Sequence, residues 1–254
     1  QLVKRYSHGM VLNTFYTFSK ALDDCDNDYG TCTGVAPVEN RNLNKGRAGY
    51  DRNHVAVANF TYELPVGKGR KWVNSNKILD WVVGGYELAW IQTFNTGNPI
   101  SFSFSNSPNN YYPTSIGNRV PNLTCSDISM PGFGLGSKIG GARFNQALEN
   151  PVLDVNCFSA PAAFTVGNAG RNIVTGPGIM YSQASAKKNF VFNERWNLQL
   201  RFDFQNPFHN WGFTAPSNTV DFKNPQLFGK ITGDQTTASF AGQPLMNLML
   251  KLSW

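Results

Sequence analysis

Residues Arg195 to Phe208, RWNLQLRFDFQNPF, alternate almost without a break. Trp196, Leu198, Leu200, Phe202 and Phe204 fall on one side of an extended chain, and Asn197, Gln199, Arg201, Asp203 and Gln205 on the other. Side chains of a strand point alternately to its two faces, so this segment is a strand with one apolar and one polar face. Two environments suit such a strand. In a soluble sandwich the apolar face meets a core and the polar face meets water. In a membrane-spanning barrel the apolar face meets lipid and the polar face lines a lumen.

The rest of the chain repeats the pattern. Met10, Leu12, Tyr16 and Phe18 alternate with Asn13, Thr17 and Ser19, which predicts a strand over Gly9 to Leu22. In RNHVAVANFTYELP, Ala56, Ala58, Phe60, Tyr62 and Leu64 share a face opposite Asn59, Thr61 and Glu63, and Pro65 ends the run. A strand interrupted at TGNP is expected over Tyr86 to Phe104, a weaker one over Tyr181 to Phe190, and a last one in LMNLMLKLSW. Gln1 to Lys4 read as the tail of a seventh strand, turned by RYSHG. FGKIT is a candidate short strand, and NKILDWVV a candidate helical turn.

Connection lengths decide between the two environments. The turn at 5–8 is short, 23–51 long, 66–85 intermediate, 105–178 very long, 191–195 short and 206–244 long. Brief turns on one side and long loops on the other are the habit of transmembrane barrels, and a sandwich has no reason for it. Strands of ~9–11 residues suffice to cross a bilayer. The chain's 254 residues hold 13% aromatic and only 15% charged side chains, with 24 Gly and 14 Pro, a composition of strands and long turns. In the last strand Met246, Leu248, Leu250, Leu252 and Trp254 share one face, and the aromatic is the final residue. A terminal aromatic after alternating apolar residues resembles the signal by which the barrel-assembly machinery recognises its clients. Leu248, Leu250, Leu252 and Trp254 are therefore the candidate insertion signal.

Four motifs then carry a resemblance. YTFSKALDD (Tyr16–Asp24), NRNLNKGRAGYDRNHVAVANFTYELPVGKGRKW (Asn40–Trp72), GNAGRNIVTGPG (Gly167–Gly178) and LFGKIT (Leu227–Thr232) resemble the C-terminal third of Oar-like TonB-dependent outer-membrane receptors of the acidobacterial type. The resemblance implies an all-β fold: the C-terminal strands of a large antiparallel transmembrane β-barrel of about 22 strands. The plug and N-terminal strands of such receptors have no counterpart in this sequence. It implies as partners those missing strands and plug, the TonB complex acting through the plug, lipid and lipopolysaccharide, and a substrate whose class the sequence does not name. The implied function is transport, with this part supplying wall, lumen lining and substrate-contacting loops that face outward from the bacterial outer membrane. A structural or adhesive surface protein is the alternative, and a small barrel of about eight strands, counting FGKIT and the Gln1 tail, is a third reading.

The remaining motifs weigh little. Cys25, Cys32, Cys125 and Cys157 lack metal-site spacing and suit disulfides in an oxidising compartment. Pairing Cys25 with Cys32 and Cys125 with Cys157 keeps each bridge inside one long loop. Asp24, Asp26 and Asp28 in DDCDNDYG resemble a calcium loop, but Tyr29 and Val35 stand where an EF-hand needs glycine and glutamate. A solvated acidic loop is the simpler reading, and no other cofactor is expected. The net charge of +6 is scattered; its densest cluster, GKGRKW at Gly67 to Trp72, sits in a connection, and no nucleic-acid signature accompanies it. FGLGSKIGG fails the phosphate-loop pattern, and His8, His54 and His209 lack a neighbouring nucleophile motif, so no enzyme is expected. No leader is visible at Gln1, and the sequence reads as a processed or truncated piece.

Overall fold

The computed structural model describes residues 1–24, 42, 44–67, 69–72, 77–105, 120–128, 150–162, 165, 167–192, 196–208, 212–233 and 244–254. Seven strands form its main sheet: β1 (Leu2–Ser7), β2 (Met10–Phe18), β3 (His54–Glu63), β4 (Tyr86–Asn95), β5 (Ile179–Val191), β6 (Asn197–Gln205) and β7 (Leu245–Ser253). Each pairs antiparallel with its neighbour in sequence, so the sheet is a simple meander. Among the described residues no helix is long and apolar enough to cross a membrane. The only α-helix described, α1 (Lys77–Val83), lies in the connection from β3 to β4.

Register turns the alternation of single strands into two continuous faces. One row runs Leu12, Phe60, Trp90, Ala184, Phe204, Met246 across β2 to β7. The adjoining row on the opposite face runs Val11, Thr61, Ala89, Ser185, Asp203, Asn247. A slip of one residue in any pair would exchange the faces of everything beyond it, so the pattern fixes the register.

β1 pairs only with β2, and β7 only with β6, among the described residues. The sheet is thus open, and the Gln1 segment does not close onto the Trp254 strand. FGKIT adds no strand, contrary to expectation. Pro225–Leu227 is a 3-10 turn, and Gly229 follows it with a φ of 72° that no strand residue adopts. Phe228 and Ile231 are buried in the loops instead.

Four other boundaries move. RYSHG is mostly strand: β1 runs on to Ser7, and the turn is His8–Gly9, with φ of 52° and 78°. Two positive-φ residues match the right-handed twist of the flanking strands, which is why so short a link suffices. The strand expected over Gly9–Leu22 ends at Phe18, and Leu22–Asp23 pairs separately with Gly46–Arg47. The strand expected over Tyr86–Phe104 is not one strand. It stops at Asn95; Pro99–Ile100 then pairs with Val174–Thr175, and Ser103–Phe104 runs parallel to Thr219–Val220. The supposedly weak strand is the longest, at 13 residues, because β4 pairs with it along 179–188 and β6 along 183–191.

All three long connections, 19–53, 96–178 and 206–244, leave from the same end of the sheet. Two of them pack together as a cap with a conventional core. Phe102, Phe158 and Phe228 form its centre, with ring centroids 4.9, 5.2 and 6.0 Å apart. Val152, Leu153 and Ile231 close around them, each at most 1% exposed. The short connections, 8–9, 64–85 and 192–196, lie at the other end.

Candidate functional site

The polar face of the sheet carries the side chains that could meet a solute. Asn197, Gln199, Arg201, Asp203 and Gln205 all project from β6 to this face, as their alternation requires. Their neighbours on β5 complement them. Gln199 Nε2 donates to Asn189 Oδ1 at 2.9 Å, and Arg201 Nε donates to Asp203 Oδ1 at 2.7 Å and Ser185 Oγ at 3.2 Å. One register step away Lys187 Nζ meets Glu87 at 2.6 Å. At the short-turn end of the same face Glu63 accepts from the Tyr6 hydroxyl (2.9 Å) and from Arg70 (2.6 Å).

These acids and bases are matched along the face, and amides and hydroxyls stand between them. Gln183, Ser185, Arg201, Asp203, Gln205 and Asn247 line a groove of about 280 Å³ there. Such a surface can exchange hydrogen bonds with a polar solute or another polar protein surface. Among the described residues no three His, Cys, Asp or Glu side chains gather as a metal cage.

Leu248, Leu250 and Leu252 project from β7 to the apolar face, opposite Phe202, Leu200 and Leu198. Trp254 is 84% exposed, its ring 6.1 Å from that of Trp196. Cys125 and Cys157 are joined, their Cα atoms 5.0 Å apart, beside the ladder of Asn122–Leu123 with Phe158–Ser159. Cys25, Cys32, Asp26 and Asp28 lie outside the described residues, and Asp24 is exposed.

A second constellation, invisible to pattern reading, ties the long connections to one another. Arg171, 7% exposed, donates from Nε to Asn44 O at 2.7 Å and from Nη2 to the Asp23 backbone carbonyl at 2.7 Å, and also pairs with the Asp23 carboxylate. Arg47 pairs with Asp51 at 2.8 Å, reaches Thr175 Oγ1 at 2.6 Å, and donates to Asn53. Asn172 donates to Arg47 O at 2.6 Å and its backbone N–H to Ser101 Oγ at 2.9 Å, while Asn218 holds the Ser101 carbonyl at 2.7 Å.

The approach is too close for any residue but glycine at position 46, where a Cβ would lie 2.5 Å from the Arg171 carbonyl oxygen. Asp51 is 2% exposed. Burial pushes its carboxyl up, but the Ala21 N–H and the Arg47 guanidinium outweigh that and hold it below the usual carboxylate range. The latch thus joins NKGRAGYDRN to GNAGRN, two stretches about 125 residues apart in the chain. A dense run of Arg, Asn and Gly in a loop was the only sequence trace of it.

A family model described as an outer membrane beta barrel domain matches residues 1–243. The chain matches no curated protein and no solved structure. The match covers six of the seven strands whole and joins an antiparallel sheet, faced apolar on one side and polar on the other, to a known class of membrane wall. The chain belongs to the outer membrane beta barrel domain family, and its place is the bacterial outer membrane.

Proposed function

We propose that this chain is the C-terminal wall segment of an Oar-like TonB-dependent outer-membrane receptor. In this reading the apolar face meets lipid, the polar face lines the lumen, and the latched cap stands outside the cell as a substrate-contacting surface. The observation that carries it is the open seven-stranded meander with both edges unpaired. Unpaired backbone groups are not tolerated within a bilayer, so closure requires further strands beyond β1 and β7. The resemblance sets the size of the closed wall at about 22 strands, and large barrels of that kind hold a plug.

The four motifs of the resemblance support the same assignment. Three of them build the latch, the first through Ala21 and Asp23, and the fourth supplies Phe228 and Ile231 to the cap core. A wall of this sort transports and does not catalyse, so the chain acts as no enzyme and works through its partners: the remaining strands, the plug, and TonB through the plug.

The intact gene product, solubilised in detergent, should be retained by the immobilised periplasmic domain of TonB, and residues 1–254 alone should not. Failure of the intact protein to bind would remove TonB from the account. Binding by residues 1–254 alone would contradict the assignment of that contact to the plug.

A further inference from the structure

Lys188 breaks the apolar face of β5. It stands opposite Tyr86, one pair along from Leu88 with Ala186, where the wall should present only apolar side chains to lipid. A lysine on that face is costly in a barrel. Here it is 5% exposed, and the connection 64–85 accounts for it. Its Nζ donates to Val82 O at 2.9 Å and Gly84 O at 2.7 Å, the carbonyls at the end of α1 that have no partner within the helix. The same ammonium sits 4.3 Å above the Tyr86 ring and 4.8 Å above Phe190. Trp81 packs on Phe190 from the helix side, with centroids 5.3 Å apart.

α1 is therefore clamped on the apolar face, at the short-turn end of the sheet. What it leaves exposed is also apolar: Trp81 is 56% exposed and Val82 52%, and Trp72 in the preceding turn is 56% exposed. In sequence the connection carries four basic residues against one acid, Asp80; of these Arg70 is paired with Glu63, and Lys71 lies with its Nζ 5.7 Å from the Trp72 ring centroid. Exposed apolar side chains and tryptophan with a lysine beside them suit the boundary between acyl chains and anionic headgroups. Trp81, packed on Phe190, joins this surface to the apolar face of the sheet.

We propose that the 64–85 connection is a membrane-surface foot, fixed to the barrel by Lys188 and seated among anionic phospholipid headgroups of the periplasmic leaflet. The proposal rests on the reading that the apolar face meets lipid and that the short turns are periplasmic.

The test uses the intact gene product in bilayers of phosphatidylethanolamine and phosphatidylglycerol. A bimane fluorophore is placed at Val82→Cys, Leu88→Cys or Asp24→Cys. Quenching at position 82 should come from phospholipid carrying a headgroup nitroxide, and aqueous iodide should quench it far less than it quenches position 24. Iodide quenching at 82 equal to that at 24, or no quenching by either agent, would overturn the foot. Position 88 reports the underlying orientation separately: if it too is open to iodide, the wall assignment has failed, not merely the foot.

Headgroup preference is read by comparing nitroxide-labelled phosphatidylglycerol with labelled phosphatidylcholine. Lys71→Gln should lower that preference by up to about fivefold, the effect of one basic side chain near an anionic surface. An unchanged preference would reject the anionic partner. Lys188→Met should raise iodide quenching at 82 and leave position 88 as it was; no change at 82 would reject Lys188 as the strut.

Discussion

Phe94, near the end of β4, is 46% exposed, while Phe102, a short way along the chain in the cap, is 2% exposed. The contrast extends to their surroundings. Phe60 and Leu88 in the sheet interior are 36% and 37% exposed, and Phe158 and Phe228 in the cap are 4% and 1% exposed. A soluble sheet that left one face this apolar and uncovered would aggregate, since contiguous exposed patches mark a surface meant to be covered. The two regions use the same side chains for different solvents. The cap hides them from water in its own core, and the sheet leaves them uncovered on one face, which on the proposed reading meets lipid.

Polar groups are treated oppositely too. In the sheet, charges are matched across neighbouring strands on the open polar face, as in Lys187 with Glu87. In the cap latch they are buried, as in Arg171 with Asp23 and Arg47 with Asp51. Removing one partner of a buried pair strands the other charge, whereas an exposed pair is worth little. The latch is consequently the sensitive element and the polar face the tolerant one.

The largest expected effect falls on the cap. Phe102→Ala empties the centre of the aromatic cluster and should cost the cap about 3–5 kcal/mol. Limited proteolysis should then cut the long connections far faster while the sheet remains protected. If sheet and cap lost protection together, the two regions would be one cooperative unit and the comparison would fail.

Next comes the sheet. Leu200→Arg on the apolar face should destabilise the barrel by about 2–4 kcal/mol, while Gln199→Arg beside it on the polar face should change little. Folding titrations of the intact protein into lipid vesicles measure both. Equal costs at the two positions would mean that the faces do not differ in solvent.

The most local effect is the titration of one carboxylate in the latch. Asp51 has its folded pKa held below the ordinary value of 3.8, so its ionised form adds stability that is fully present above that value. The contribution fades as pH falls below 3.8 and is gone beneath the folded pKa. Hydrogen exchange at the Ala21 amide should quicken in that acid range. In Asp51→Asn it should be fast already at neutral pH and lack the acid-dependent step.

The sheet was largely legible because its two faces differ in polarity and impose a period of two on its strands, which Leu198 to Phe204 obey without exception. β5 was underrated because Ser182 and Lys188 stand on its apolar face. Ser182 is satisfied by Gln92 at 2.6 Å and Lys188 by the end of α1, contacts that no periodicity encodes. The cap was illegible for the converse reason. Its residues are buried by irregular chain, so Phe228 and Ile231 gave a short apolar run that read as a strand. The Arg171 latch joins residues 127 and 148 apart, and the sequence offers only their polarity.

The central claim is that the two faces of this sheet look into lipid and lumen, and adjacent residues of β6 test it most directly. Nitroxides placed singly at Leu200 and Arg201 of the intact protein in bilayers should report opposite surroundings. Position 200 should be accessible to dissolved oxygen and closed to an aqueous nickel chelate, and position 201 the reverse. Equal lipid exposure at both positions, or an aqueous environment at 200, would contradict the account.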